Sequence, residues 1–189
     1  MADFSQRDPA AGVDALFVER WSPRAFVKAD IAAPTLASII DAARWSPSCF
    51  NDQPWRFYTS NADTFGAFLD LLVEGNQAWA ANAGVLGFLT ARKHFAHNGE
   101  PNGFAPFDAG AAWLAMTLQA NKVGLHTHGM GGIHRDAAAE YFGLNADEEQ
   151  VLMGFAVGVA ADVHQLSEEQ RQREVPNGRR PLDEIWLKR

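Results

Sequence analysis

The sequence predicts an α+β fold, and three observations support this prediction. Apolar runs with the length of buried strands cover residues 83–91 and 151–160. The segment 108–122 has helical spacing but is apolar on nearly every side, which is typical of a helix at the centre of a core or shared with a partner chain. Strand and helix patterns alternate, but long strand–helix–strand units are too few for a doubly wound sheet. A single domain over residues 1–189 suits this chain length.

The first half of the chain alternates short helices, proline-bounded loops and a strand. Residues 1–11 are polar and are predicted to form an N-terminal arm. Pro34 favours the first turn of a helix, whose apolar side chains recur every three to four residues until Pro47 ends it. The aromatic and Thr-rich segment 55–59 suits a strand. Two further helices are predicted, over residues 13–19 and 63–72.

The second half contains the apolar strands and the long helix. Residues 93–107 are rich in Gly, Pro and Asn and are predicted to form a long loop, which is often a functional feature. Gly124 is a natural end for the long helix. A glycine-rich turn over 129–132 precedes a helix over 136–142. The segment 162–189 is charged but ends in an amphipathic stretch, so we expect a C-terminal extension that packs on something.

Composition excludes several classes of function. The formal net charge of −7 argues against nucleic acid or an anionic membrane surface as the main partner. A single cysteine, Cys49, rules out an intrachain disulfide and a Cys-built metal site. The first residues lack the pattern of a signal peptide, and no apolar run approaches the roughly 20 residues that a membrane span needs. We expect a cytoplasmic protein without a metal site.

Arginines flank a hydroxyl group in the segment Arg20-Trp21-Ser22-Pro23-Arg24. Guanidinium groups offer a fixed fork of donors, which suits a dianionic phosphate or an electron-rich ring edge. A surface loop with ordinary salt bridges is the alternative interpretation. A second pair, Arg179-Arg180, lies near the end of the chain and is either a phosphate clamp or a solvated surface run.

The segment 46–54 contains two prolines between a predicted helix and a predicted strand. Such a rigid frame would let Ser48 and Asn51 present short polar groups to a flat polar heterocycle. Cys49 has no neighbour in sequence that would activate it as a nucleophile, so a free thiol is the commoner expectation.

Taken in order, these motifs resemble the nitroreductase family of FMN-dependent oxidoreductases. The family's Arg-x-Ser-x-Arg/Lys-x-Phe stretch matches residues 20–26, and its Pro-Ser-x-x-Asn-x-Gln-Pro-Trp-x-Phe stretch matches residues 47–57. Residues 108–120 resemble its long central helix, and 124–132 resemble a branch with Gly-Leu-x-x-His-x-Met. Its closing Arg-Lys-Pro-Leu-x-Glu pattern is similar to residues 179–184. The resemblance therefore extends over almost the whole chain.

The resemblance implies a fold, an assembly and an activity. The fold is a central, mainly antiparallel sheet flanked by helices, in an intertwined homodimer with two FMN sites at the interface. The extension 162–189 would pack on the partner subunit. The implied activity is the reduction of small electron-poor acceptors (nitro compounds, quinones, enones) by a ping-pong hydride mechanism, with NADPH or NADH as donor. The alternatives are a specialised flavoprotein of the same fold (a metabolite oxidase, dehalogenase or flavin-degrading enzyme) and a flavin-binding protein without turnover.

The resemblance also assigns residues to the flavin. It places Arg20 near the phosphate and Arg24 at the pyrimidine edge, as the cation that stabilises reduced flavin. Trp79 stands where some relatives carry a lysine. Residues 47–51 are expected to come from the other subunit. The expected FMN-binding residues are Arg20, Trp21, Ser22, Arg24, Pro47, Ser48, Cys49, Asn51, Asn76, Met130, Gly131, Gly132, Arg179 and Arg180.

Three further residues are candidates for substrate contact. His126 and His128 share one face of an extended segment, but no carboxylate or cysteine nearby completes a metal site. A substrate contact is therefore the better hypothesis for His128. Phe104 and Phe107 are predicted either to cover the flavin face or to pack in the ordinary way.

Overall fold

The computed structural model describes residues 2–188, and its centre is a five-stranded sheet. Every strand pairing in it is antiparallel, and β5 lies in the middle, where it pairs with β1, β3 and β4. Strand β2 pairs with β3 at the edge. These pairings confirm the predicted α+β fold with a mainly antiparallel sheet. The strands are β1 Phe26–Val27, β2 Trp55–Thr59, β3 Val85–Arg92, β4 His126–Met130 and β5 Glu149–Ala160.

Helices cover both faces of the sheet. The longest, α5, packs on α2 over one face, while α3, α4 and α6 cover the other. Two short 3-10 turns cover Cys49–Asn51 and Val163–Gln165. In residues 2–188 the α-helices are α1 Ala15–Glu19, α2 Ala33–Arg44, α3 Phe65–Asp70, α4 Glu74–Ala80, α5 Ala105–Lys122, α6 Arg135–Tyr141, α7 Glu168–Gln172 and α8 Leu182–Ile185.

Two hydrophobic clusters hold these layers together. On the α5 face, Met116 and Phe155 are fully buried, and on the opposite face Phe26 and Phe88 are fully buried. Each such side chain contributes roughly 1.5–3 kcal/mol of hydrophobic stabilisation. Gly87 is required beneath the Phe155 ring, because a Cβ at that position would lie 2.2 Å from a ring carbon.

The predicted elements differ from the structure at their ends. Helix α5 begins at Ala105, with a proline in its first turn, so the predicted loop 93–107 loses its last residues. The predicted turn 129–132 was wrong in its first half, because Gly129 and Met130 pair with β5. Gly124, at φ 78°, does end α5 as predicted. The sequence reading also missed β1, α4, α7 and α8, which are all short.

None of the helices in residues 2–188 combines the length and apolar character needed to cross a bilayer.

Candidate functional site

A cleft of about 490 Å3 lies beside the segment that joins α1 to β1. Four parts of the chain line it: the N-terminal arm, residues 20–24, strand β4, and the tail after α7. The structure thus brings six of the predicted residues together. They are Arg20, Trp21, Ser22, Arg24, His128 and Arg179.

Three arginines, Arg7, Arg20 and Arg179, form what we call the arginine cluster. Arg20 Nη1 donates to Ser22 Oγ at 3.3 Å. Arg7 Nε donates to the carbonyl of Asn177 at 3.0 Å, and its Nη1 donates to the carbonyl of Arg20 at 2.9 Å. Arg7 therefore joins the arm, the segment after α1 and the tail. The sequence reading missed it, because a lone arginine in a polar arm belongs to no motif.

The arginine cluster has no acidic partner. Within residues 2–188, none of its three guanidinium groups forms an ion pair within 4.0 Å of a carboxylate. Burial lowers the pKa of Arg20, and the charge of Arg179 lowers it further. The pKa of Arg7 is lowered by burial and by the charges of Arg179 and Arg20. Guanidinium groups stay protonated in proteins, so a bound anion would relieve their mutual repulsion.

Two further arginines line the cleft, Arg24 and Arg173, and each has an acidic partner. Glu174, whose side chain is only 1% exposed, places Oε2 3.6 Å from Arg24 Nη1. Its Oε1 accepts hydrogen bonds from the backbone N–H of Arg24 at 2.6 Å and of Ala25 at 2.9 Å. The sequence reading did not single out Glu174, since it lies 150 residues from its partner in a charged tail.

His128 lies in the cleft as a neutral imidazole. Its Nδ1 is 3.0 Å from the carbonyl of Pro23, so Nδ1 carries the proton and donates, leaving Nε2 as an acceptor. Burial lowers its pKa from 6.5 to about 4, and the charges of Arg24 and Arg20 lower it as well, against the opposing backbone hydrogen bonds. Its ring packs on the buried Trp79 at 4.5 Å between centroids. Trp79 thus supports the cleft from behind.

His126 does not complete a metal site with His128. Burial lowers the pKa of His126, and its Nδ1 is buried without a hydrogen-bond partner. Among residues 2–188, the structure contains no group of three or more His, Cys, Asp or Glu side chains placed to hold a metal ion.

Asn76 and Gly132 lie together one turn of α4 away from Trp79. Asn76 Nδ2 donates to the carbonyl of Gly132 at 2.9 Å. A Cβ at Gly132 would lie 2.8 Å from that same nitrogen, so a larger residue would displace Asn76. The side chain of Met130 is buried in the core, at 3% exposure, and Gly131 has open space around its Cα. Of these four residues, none lines the arginine cleft.

The loop 46–54 is strained and firmly held. Phe50 and Gln53 have φ values of 53° and 48°, in the left-handed region that side chains other than glycine rarely adopt. The backbone N–H of Cys49 donates to Asp108 Oδ2 at 3.0 Å, and that of Gln53 donates to Ser48 Oγ at 3.0 Å. Strain of this kind persists only where neighbouring groups impose it, and it is common at ligand sites.

The loop 46–54 and Trp21, which lines the cleft, approach opposite ends of α5. The loop contacts Asp108 in the first turn, whereas Asn121 in the last turn lines a cavity together with Trp21. Thirteen residues of helix separate these two positions, which is about 20 Å at 1.5 Å per residue. No residue of 46–54 lines the cleft. One chain therefore presents the two predicted halves of the flavin site apart from each other.

The remaining predicted residues follow the same division. Phe104 and Phe107 are 56% and 77% exposed. They lie at the start of α5, which is the end of the helix that the loop 46–54 contacts. Arg180 does not line the cleft but borders, with Arg179, a separate groove of about 400 Å3 between the arm and α8.

Comparisons with known proteins agree with this architecture. A crystal structure described as an oxidoreductase containing FMN is 41% identical, with a TM-score of 0.93, and covers 99% of this chain and 96% of that chain. A nitroreductase structure from Desulfovibrio desulfuricans, solved in complex with FMN, has 21% identity and a TM-score of 0.74, covering 96% of this chain and 98% of that one. At that identity the likeness shows the fold alone.

A Streptomyces coelicolor protein named as an NADH dehydrogenase or NAD(P)H nitroreductase is 33% identical over 90 residues. Those residues are 47% of this chain and 45% of that protein, so the match spans about half of the relative. The model of the nitroreductase family matches residues 17–64 and 60–159, which is most of this chain. The chain therefore belongs to the nitroreductase family.

Proposed function

We propose that this protein is an FMN-dependent NAD(P)H oxidoreductase that reduces small electron-poor molecules such as nitro compounds, quinones and enones. One observation carries the proposal: three arginines that have no acidic partner within residues 2–188 converge in the cleft of a chain whose net charge is −7. Such a concentration of unpaired positive charge suits a dianionic phosphate group. The similarity to an FMN-containing oxidoreductase over nearly the full length supports the same conclusion.

The residues of the cleft fit FMN. The arginine cluster and Ser22 would hold the phosphate, and Arg24 would lie at the pyrimidine edge of the ring. Asn76, fixed by its hydrogen bond to Gly132, would reach the ring edge. When bound, FMN supplies the redox chemistry by accepting a hydride from NADPH or NADH and passing it to the acceptor.

The chain's own residues bind and orient the reactants. Arg24 offers a positive charge, which stabilises the anionic reduced ring. His128 is neutral at pH 7, so its Nε2 offers an acceptor to a substrate that donates a hydrogen bond. No side chain needs to act as a strong acid, because water can protonate a reduced nitro or quinone product. Donor and acceptor would occupy the same face in turn, which is a ping-pong sequence.

We further propose a homodimer, in which the second copy completes each site. Because no residue of the loop 46–54 lines the cleft of its own chain, Pro47, Ser48, Cys49 and Asn51 would reach the flavin from the partner subunit. Phe104 and Phe107 would then approach the substrate side. The large apolar side chains left exposed at this end of the molecule include Trp45, at 76%, and Phe50, at 77%.

The C-terminal extension supports the same assembly. Leu182, Ile185, Trp186 and Leu187 are each more than half exposed, a pattern that suits a segment packed on a second copy. Sedimentation of the flavin-bound protein is expected to give the mass of a dimer. A yellow monomer would contradict the shared site.

An absorbance spectrum tests the activity itself. We expect the purified protein, after addition of FMN, to show a flavin spectrum that bleaches when NADPH or NADH is added without oxygen. The electrons should then pass to an added quinone or nitroarene, and the flavin absorbance should return. A protein that takes up no FMN would overturn the proposal. A flavin spectrum that persists with both donors would favour a specialised flavoprotein or a binding protein.

A further inference from the structure

Glu174 is a deeply buried carboxylate whose two oxygens are treated differently. Oε1 accepts two hydrogen bonds, from the backbone N–H groups of Arg24 and Ala25. Among residues 2–188, Oε2 is buried without a hydrogen-bond partner, and Arg24 Nη1, 3.6 Å away, is the one cationic atom within 4.0 Å. An ionised carboxylate is costly to bury unless both oxygens are compensated, so the arrangement calls for an explanation.

The two backbone bonds explain why Glu174 stays in place. They fix the chain at Arg24 and Ala25, where it enters β1, and they tie this entrance to the tail that follows α7. The position of Arg24 in the cleft is therefore imposed from the C-terminal part of the chain. The side chain of Arg24 is 29% exposed and lines the cleft. Its guanidinium donors are therefore available to a ligand there.

The position of Oε2 gives Glu174 a second effect. Glu174 Oε2 lies 3.6 Å from Arg24 Nη1, which is close enough to offset part of the positive potential of the guanidinium group but too far to form a hydrogen bond with it. The arginine cluster, by contrast, has no carboxylate of the described chain within ion-pair distance. The positive electrostatic potential in the cleft is therefore undiminished by carboxylates at the arginine cluster and weaker at Arg24, where Glu174 offsets part of it.

Reduction adds negative charge to the pyrimidine edge of a flavin, and a nearby cation stabilises that form. We propose that Glu174 is a positioning residue that holds Arg24 in the cleft, offsets part of its charge, and thereby lowers the reduction potential of the flavin bound there. This inference rests on the proposed function.

The Glu174→Gln variant tests it. The amide keeps the size of the side chain and an oxygen for the two backbone N–H groups, but it removes the negative charge. We expect reduced FMN to bind roughly tenfold more tightly relative to oxidised FMN, which for a two-electron couple makes the potential about 30 mV more positive. The potential is measured on the flavin-bound protein by equilibrium with a reference dye.

Glu140→Gln is the matched control. Glu140 lies in α6, is exposed, and does not line the cleft. The same charge is removed where water screens it, so the potential should stay at the native value. A Glu174→Gln variant that binds FMN with a native potential would overturn the inference. A shift as large in Glu140→Gln would overturn it too.

A second pair of variants covers the case in which Glu174→Gln alone is unstable because it leaves Arg24 without its counter-charge. Arg24→Gln should make the potential more negative, because it removes the cation and leaves the carboxylate. Adding Glu174→Gln to Arg24→Gln removes both charges, so the potential should fall by less. An equal or larger fall in the double variant would contradict the inference. Native protein that binds no FMN would instead show that the proposed function has failed.

Discussion

Two buried carboxylates in this chain each face an arginine, yet they do different work. The side chains of Asp52 and Glu174 are both 1% exposed, and those of their partners Arg92 and Arg24 are both 29% exposed. Asp52 Oδ2 accepts a hydrogen bond from Arg92 at 3.1 Å, and its Oδ1 accepts one from the backbone N–H of Ala96 at 2.8 Å. In Glu174, by contrast, Oε2 lies 3.6 Å from Arg24 Nη1 and accepts no hydrogen bond from residues 2–188.

The difference shows how one device serves two purposes. Both carboxylate oxygens of Asp52 accept hydrogen bonds from protein groups, and these bonds join the loop 46–54 to the loop after β3. Only one oxygen of Glu174 accepts hydrogen bonds, and both come from the backbone. Arg24, which lines the cleft, therefore keeps its guanidinium donors for a ligand. The first pair builds a loop, and the second sets the charge of a binding site. Substitutions in the Asp52 loop and in the cleft test this distinction.

Asp52→Ala should have the largest effect on stability. The substitution removes the carboxylate that pairs with Arg92 and accepts from the N–H of Ala96, so that Arg92 keeps only the backbone carbonyl of residue 52 among these acceptors. Breaking a buried ion pair in this way costs about 3–4 kcal/mol. Urea unfolding at a fixed protein concentration measures the loss. Asp41→Ala, which removes an exposed partner of Arg44, should leave the midpoint unchanged. Equal effects of the two substitutions would contradict the structural role of Asp52.

A pH titration of stability probes the cleft side of the comparison. The pKa of His128 is about 4 in the folded chain, against 6.5 ordinarily, so between these values the unfolded chain binds a proton that the folded chain does not. The free energy of unfolding should therefore fall as the pH drops from 7 to 4, by up to about 3 kcal/mol from this group. His128→Gln should have a shallower dependence in urea unfolding at each pH. Parallel curves for the two proteins would refute the assignment.

Arg20→Ala tests the arginine cluster, which has no acidic partner in the described part of the chain. Loss of a charge-assisted hydrogen bond to the phosphate should weaken FMN binding by about 1.5–3 kcal/mol, roughly 10- to 150-fold in Kd. Fluorescence quenching of FMN by the protein gives the constant. Arg135→Ala, which removes an exposed guanidinium group from α6, should bind FMN normally. An unchanged Kd in Arg20→Ala would remove Arg20 from the site.

Arg7→Ala should have a smaller effect on the same constant. Arg7 uses its donors mainly on the carbonyls of Asn177, Val18 and Arg20, so it adds positive charge for the phosphate but has fewer donors to offer it than Arg20. We expect a loss of about 1 kcal/mol, or roughly fivefold in Kd. A loss larger than that of Arg20→Ala would make Arg7 the principal phosphate ligand.

The sequence predicted those parts of the fold and the site that depend on local pattern. Strand β2 was predicted with its observed bounds, because its aromatic and Thr-rich residues have no competing periodicity. The two arginines of the segment 20–24 suggested either an anion site or a surface loop with salt bridges, and the structure places the segment in the cleft. Gly129 and Met130 were assigned to a turn, because glycine content gave no sign of the pairing with β5.

Contacts distant in sequence could not be predicted in this way. Glu174 reaches Arg24 across 150 residues, and Arg7 reaches Asn177 across 170. Neither residue has a local motif, since its role depends on which segments the sheet brings together. The separation of the loop 46–54 from the cleft also follows from the placement of α5, which no local pattern reveals.

A comparison of the Kd values for FMN and riboflavin shows whether the arginine cluster binds the phosphate. The two ligands share the ring and differ by the phosphate, so their Kd ratio isolates the contribution of the arginine cluster. If Arg7, Arg20 and Arg179 bind the phosphate, FMN should bind roughly 100-fold more tightly or better, and most of that ratio should disappear in Arg20→Ala. Equal affinities of the native protein for the two flavins would contradict the account.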